Sequence, residues 1–304
     1  MKRILTLVLV VALALTVFVG CGSSEKNYTL STGVVVTPTL GSAKVAATVA
    51  SIVTDANGAI VLCRLDCVEY AAFDENGTLV TAAPASKVEQ GDNYDPWNAM
   101  EKGDWYVQTA ALETYVVGKT QSQLAAISLD GGKIADLKNS CTINVTDLVK
   151  AIDNAFKSEH KVSFKSAATT FTAGLNVSSS VKDASDDAIN MTLSATFATA
   201  VMADGVVVAA ILDTAEPTLN NCDANDGAES MTYEGSKREL GEDYDKDNIM
   251  EQGDWYKQAD AYAASAVGKT KSDIATLASS GVAGCTIYAG GYKAGIEAAV
   301  NSAR

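Results

Sequence analysis

"EKGDWYVQTAALETYVVGKTQSQLAAI" (residues 101–127) and "EQGDWYKQADAYAASAVGKTKSDIATL" (residues 251–277) open alike and close alike, with the same interval between. From Trp105 the apolar and small positions Thr109, Leu112 and Val116 recur at three and four residues, and from Trp255 so do Ala259, Tyr262 and Ala266. That spacing puts them on one face of a helix. Gly118 and Gly268 stand where such a helix stops. Thr120 and Thr270 then cap a second, short helix carrying Leu124 and Ile127 in one stretch and Ile274 and Leu277 in the other.

The two stretches belong to a longer internal repeat, which decides the architecture before any motif is weighed. "VTDANGAIVLCRLDCVE" and "TAVMADGVVVAAILDTAE" each read as strand, turn, strand, with tight two-residue hairpins at Asn57-Gly58 and Asp204-Gly205. Asp66 aligns with Asp213, Glu69 with Glu216, and "KVEQGDNYD" with "KRELGEDYD". "SCTINVTDLVKAIDNAF" aligns with "GCTIYAGGYKAGIEAAV", so each copy ends in an amphipathic helix, burying Leu148, Ile152, Ala155 and Phe156 or Tyr292, Ile296 and Ala299. Further strand candidates precede each hairpin, "YTLSTGVVVTP" and "HKVSFKSAATTFTAGLNV" among them. The expected fold is α+β: two tandem copies of an antiparallel-sheet unit with helices on one face. The copies span 28–158 and 159–304.

Ahead of them, Lys2 and Arg3 precede an almost wholly apolar run that ends at Gly20-Cys21. This layout predicts a signal peptide over 1–20. It also predicts a lipid on Cys21, a tether over 21–27, and anchoring to the membrane without a transmembrane helix. The formal net charge of -14 repels a phosphate backbone and argues against nucleic acid as a partner. Hydrophobic content of 47% with four prolines argues against a disordered stalk.

Five cysteines follow Cys21, an odd number that cannot pair completely within one chain. Cys63 and Cys67 face the same way on a strand but lie roughly 13 Å apart, too far to bond each other. The five read as small buried hydrophobes, with one structural disulfide the alternative.

"VVGKT" and "AVGKT" lack the first glycine of a phosphate loop and follow a helix instead of a strand, so they are helix stops and caps. Asp243, Asp245, Asp247 and Asp254 have calcium-loop spacing, but Asn248 replaces the required glycine; the stretch reads first as a solvated acidic loop. Asp66 and Glu69 could form a carboxylate pair, without a further catalytic partner. Trp105 and Trp255 read first as core residues, with Tyr106 and Tyr256 the members facing a ligand. Gln108 and Gln258 read either as helix-surface groups or as partners of the adjacent acidic turn.

The hairpin, the acidic segment and a Thr near the final helix together resemble the FMN-binding domain of membrane electron-transfer flavoproteins. The whole chain after Cys21 resembles tandem-repeat lipoproteins of clostridia and related Gram-positive bacteria, whose repeats carry the Gly-Asp/Glu-Trp-Tyr helix and the Val-Gly-Lys-Thr turn. In the FMN domain the motif is Asp, two variable residues, Ser, Gly, Ala, Thr. Here Asp136 and Thr142 match it in the first copy, and Gly284 and Thr286 in the second; the remaining motif positions differ. The resemblance implies a membrane-tethered, extracytoplasmic binding or scaffold lipoprotein without catalysis, with a small molecule or a surface protein as partner. The alternative it implies is an FMN carrier in extracellular electron transfer, with FMN as cofactor and Thr142 or Thr286 as its attachment point. No metal site is expected.

Overall fold

The computed structural model describes residues 24–95, 97, 99–183, 188–245, 250 and 253–304. The expected signal peptide, Cys21, and Asp247 and Asn248 of the acidic loop lie outside the described residues. In the first unit β1 (Lys26–Thr39), β2 (Lys44–Asp55) and β3 (Ile60–Ala71) form an antiparallel meander. They are followed by α1 (Lys87–Gln90), α2 (Trp105–Val116), α3 (Gln121–Ala125) and α4 (Thr146–Lys157). After β4 (Val162–Ser166), the second unit repeats the order with β5 (Thr172–Asp183), β6 (Met191–Ala203) and β7 (Val206–Ala215). It inserts a hairpin of β8 (Thr218–Asp223) and β9 (Gly227–Thr232), then continues with α5 (Lys237–Leu240), α6 (Trp255–Ala264), α7 (Lys271–Ile274) and α8 (Gly290–Ser302). The fold is α+β with two antiparallel sheets.

The helices of each unit cover one face of its own sheet. Trp105, Leu112, Val116, Leu124, Leu148 and Ile152 pack with Ala50, Ile52 and Cys67 on the first sheet. Trp255, Tyr262, Ile274, Ile296 and Ala299 pack with Ala198, Ala200 and Leu212 on the second. The opposite faces are also apolar, because strand side chains alternate and both alternate sets are hydrophobic here. Val45, Ala47, Val49, Val68 and Tyr70 of the first sheet therefore meet Leu175, Val177, Leu193, Ala195 and Phe197 of the second. The result is four layers, helices–sheet–sheet–helices, with β1 lying over β7 and β3 over β5.

The layers are related by a pseudo-two-fold axis. Both central strands, β2 and β6, shift register against the strand that follows them, after Val53 and after Val201. Ser51 and Thr199 occupy the same place relative to those shifts, and their hydroxyls meet across the sheet interface at 2.5 Å. Each satisfies a buried polar group of the other. Two further links cross between units. β4 follows the 158/159 boundary in sequence, yet it pairs with β1 of the first sheet, Tyr28 opposite Phe164. The β8–β9 hairpin reaches the first unit's Leu40–Gly41 turn, where Gly227 has no room for a Cβ beside Gly41.

The hairpins differ from expectation in one copy. Asp204 and Gly205 both adopt positive φ, as a two-residue turn demands. In the first copy only Gly58 does, and Asp55 and Ala59 close a three-residue loop through Asp55 N–H to Ala59 O (2.9 Å). The Asp55 carboxylate, accepting from the Asn57 and Ala59 amides at 2.9 Å each, makes the longer loop favourable.

Candidate functional site

The duplicated Val-Gly-Lys-Thr fastens helix to sheet. Gly118 and Gly268, at φ 83° and 79°, turn the chain out of its helix. Gly118 N–H then donates to Ile60 O (2.7 Å) while Ile60 N–H donates to Lys119 O (3.0 Å); Gly268, Val207 and Lys269 repeat the pair at 2.8 and 2.9 Å. Thr120 and Thr270 start the next helix, their amides donating to Gln123 Oε1 (2.9 Å) and Asp273 Oδ2 (3.0 Å). The amides are thus engaged within the fold, and Lys119 lies over the Tyr115 ring at 4.2 Å. Asp136 is exposed and accepts the Tyr115 hydroxyl at 3.2 Å.

Thr142 and Thr286 belong to a second duplicated device. Gln108 and Gln258 are fully buried. Each donates through Nε2 to the carbonyl of Gly103 or Gly253, at 2.7 and 2.8 Å. Gln108 Oε1 accepts the Thr142 amide at 2.7 Å and its hydroxyl at 3.2 Å; Gln258 Oε1 accepts the Thr286 amide at 2.8 Å and its hydroxyl at 3.0 Å. The bond to the acidic turn is the second of the two readings the sequence offered; the sequence did not show that the same glutamines also bracket the helix start to the Cys-Thr-Ile segment. Both threonines precede the final helices, α4 and α8, instead of opening them. A phosphate at either threonine would compete with a glutamine that already takes amide and hydroxyl together. Gly284 is exposed at φ 80°. Tyr106 donates to Asp92 at 2.8 Å, and Tyr256 stacks on His160 with ring centroids 4.0 Å apart. The candidate residues thus occupy separate places around each helix start and do not converge.

What converges lies one face away. A cleft of about 550 Å³ opens between α1, the start of α2, the start of α4 and strands β2 and β3. Trp105, Met100, Ile143 and Leu148 give it apolar walls, and Lys87, Glu69 and Asp147 give it charge. The Lys87 side chain is 11% exposed and bonds Glu69 at 2.7 Å. Its ammonium also lies 4.9 Å from the Tyr94 ring centroid and 5.4 Å from that of Trp105. Burial alone would lower the Lys87 pKa; Cys67, Glu69 and Tyr94 outweigh it and leave that pKa above the ordinary lysine value. A second hollow, about 500 Å³, adjoins the first and shares Ala46, Glu69 and Asp147 with it.

The second unit has the same frame. Lys237 pairs with Glu216 at 3.4 Å and lies over Tyr244 and Trp255 at 5.0 and 5.7 Å. Two substitutions change the site. Leu148, third residue of α4, corresponds to Tyr292, third residue of α8. The Tyr292 ring packs against Trp255 with centroids 5.9 Å apart, in the volume that Leu148 leaves open. Ser194 donates to Glu216 Oε1 at 3.1 Å, whereas the first unit has Ala46 opposite Glu69. Glu69 is correspondingly the more exposed, at 53% against 34% for Glu216.

Asp66 and Glu69, three residues apart on β3, point to opposite faces and form no carboxylate pair. Asp66 is buried under α1, accepting the Cys67 and Val88 amides at 2.7 and 3.1 Å; Asp213 does the same for α5 with Thr214, Arg238 and the Ser236 hydroxyl. Desolvation pushes the Asp66 pKa up to about 7 and that of Asp213 to about 6, against the hydrogen bonds. All five described cysteines are buried and free. Burial drives the Cys67 thiol up to about 12, so it is no nucleophile. In the acidic loops Asp95 and Asp245 accept the Met100 and Met250 amides at 2.6 and 2.9 Å. Among the described residues no cluster of His, Cys, Asp and Glu is arranged to hold a metal.

Against protein-family models, curated proteins and solved structures, the chain finds no match. The site's own geometry therefore carries the functional argument.

Proposed function

We propose that this chain is a small-molecule-binding protein, non-catalytic, tethered through lipid on Cys21 to the extracytoplasmic face of a membrane. Its ligand sits in the first unit's cleft, and the second unit serves as scaffold. The observation that carries the reading is the exchange of Leu148 for Tyr292 on otherwise matching frames. One unit fills the space over its tryptophan with its own ring. The other keeps it open, with a buried lysine at one end. Volume, apolar walls and a few placed polar groups are the attributes of a small-ligand site.

The test is Leu148→Tyr, which installs the second unit's plug among neighbours that already accommodate it there. A ligand at a hundred times its Kd stabilises the native state by about 2.7 kcal/mol. In a thermal-shift screen of small molecules, compounds that raise the Tm of the wild-type chain are expected to leave L148Y unmoved. Stabilisation that persists in L148Y, or a screen in which nothing favours wild type, overturns the reading. Flavin absorbance and a flavin mass on a Thr142 or Thr286 peptide, in protein from its native host, would favour the carrier reading instead. The same mass spectrum tests acylation of Cys21.

A further inference from the structure

Resting on that reading, the charges in the cleft narrow the ligand's chemistry. The lysine is held deep and rigid, between two rings and one carboxylate, and an ammonium has three donors. Glu69 takes one of them and the Tyr94 hydroxyl a second, which leaves one. Glu69 stands beside the lysine and is half-exposed, and Asp147 stands where the cleft and its neighbouring hollow join. Asp147 accepts the Thr37 hydroxyl at 2.9 Å, and among the described ion pairs none includes it. A carboxylate oriented by a neutral hydroxyl keeps lone pairs for a cation. Trp105, Met100, Ile143 and Leu148 then provide the apolar surface between and beside these charges.

A monoanion would meet Lys87 but leave Asp147 and Glu69 facing its body. An amine would satisfy the carboxylates and leave the remaining lysine donor unused. A zwitterion answers both. The second unit agrees with this assignment by contrast: Asp147 corresponds to Gly291 in the sequence repeat, so the unit whose cleft is filled also lacks this carboxylate.

We propose that the first unit's cleft binds a free α-amino acid with a large apolar side chain. The ligand carboxylate takes a donor of Lys87, its ammonium lies at Asp147 and Glu69, and its side chain lies along Trp105, Met100 and Leu148.

Calorimetric titration of the full chain with L-phenylalanine, phenethylamine and hydrocinnamate tests this, since the three share a ring and differ in charge. A hydrogen bond to a charged group is worth about 1.5–3 kcal/mol, so L-phenylalanine is expected to bind at least about tenfold more tightly than either analogue. Lys87→Gln is expected to weaken L-phenylalanine and hydrocinnamate about tenfold and leave phenethylamine unchanged. Asp147→Asn, which retains an acceptor for Thr37, is expected to weaken L-phenylalanine and phenethylamine and spare hydrocinnamate. An analogue that binds as tightly as the zwitterion, or variants that weaken all three equally, overturns the assignment. So does failure of all three probes to bind. In each case, a different compound that stabilises wild type and not L148Y would preserve the binding reading while refuting its amino-acid form.

Discussion

A carboxyl group sealed beneath a short helix carries a cost that depends on pH. Asp66 has its pKa raised from the ordinary 3.8 to about 7, chiefly because burial disfavours the charged form. Between those values the native state holds a proton that the unfolded chain releases. Stability from this group is therefore full below the unfolded pKa and falls as pH rises through the native one, by at most about 1.4 kcal/mol per pH unit for one proton. Asp213, raised to about 6, adds a similar slope that ends earlier. Asp66→Asn keeps an oxygen acceptor for the Cys67 and Val88 amides and has no proton to lose. Its chemical-denaturation stability, measured across this window, is expected to decline less steeply than wild type. Neither environment was legible in the sequence, where Asp66 and Asp213 read as aligned carboxylates and Asp66 as a possible partner of Glu69. Their partners come from α1 and α5, some twenty residues onward, and only the folded chain closes that distance.

Among the elements, the closest approach is that of the last helix to the first strand of each unit. Gly33 of β1 faces the backbone of Ala151 and Ala155 in α4, and Gly174 of β5 faces that of Ala299 in α8. A Cβ at either position would overlap a helix backbone, which cannot turn aside as a side chain can. Gly33→Ala is expected to destabilise the protein by about 3 kcal/mol in urea titration, at the upper end of overpacking costs. Glycine in a strand usually weakens it, so retention of the residue in both copies has its reason in this contact. The helices themselves were readable in advance: Trp105, Leu112 and Val116 form the buried stripe that their spacing implies, and Thr270 caps with Asp273. The segment 160–177, read as a single strand candidate, divides into β4 and β5, which join different sheets. Alternation along a strand reports which faces are apolar but not which neighbour covers them.

For the whole molecule, the same limit explains why the sandwich was not anticipated. Both faces of β2 and β6 are apolar, which local patterning records only as a hydrophobic run. The second face is buried by the other unit, and Phe197 and Val49 sit in that shared core. Phe197→Ala is expected to cost about 3–5 kcal/mol. Tryptophan fluorescence and far-UV circular dichroism should nonetheless report one coincident transition, because β4 and the inter-sheet core bind the units into one cooperative body. Two separated transitions would show that each unit unfolds alone. The candidate cleft was half legible: Trp105 and Glu69 had been singled out, but Lys87 entered only as the first residue of the repeated "KVEQGDNYD". Leu148 and Tyr292 aligned as core positions, and nothing in an alignment of two apolar residues tells that one leaves room where the other does not.

The contact of Ser51 with Thr199 places equivalent residues on a common axis, which is how two identical subunits meet in a closed dimer. Identical subunits must present identical clefts, and such an assembly would take up two ligands with the prospect of cooperativity between them. Joined in one polypeptide, the halves are free to differ at Leu148 and Tyr292. The proposed cleft therefore predicts a stoichiometry of one: saturation should follow a simple hyperbola with a Hill coefficient of about 1.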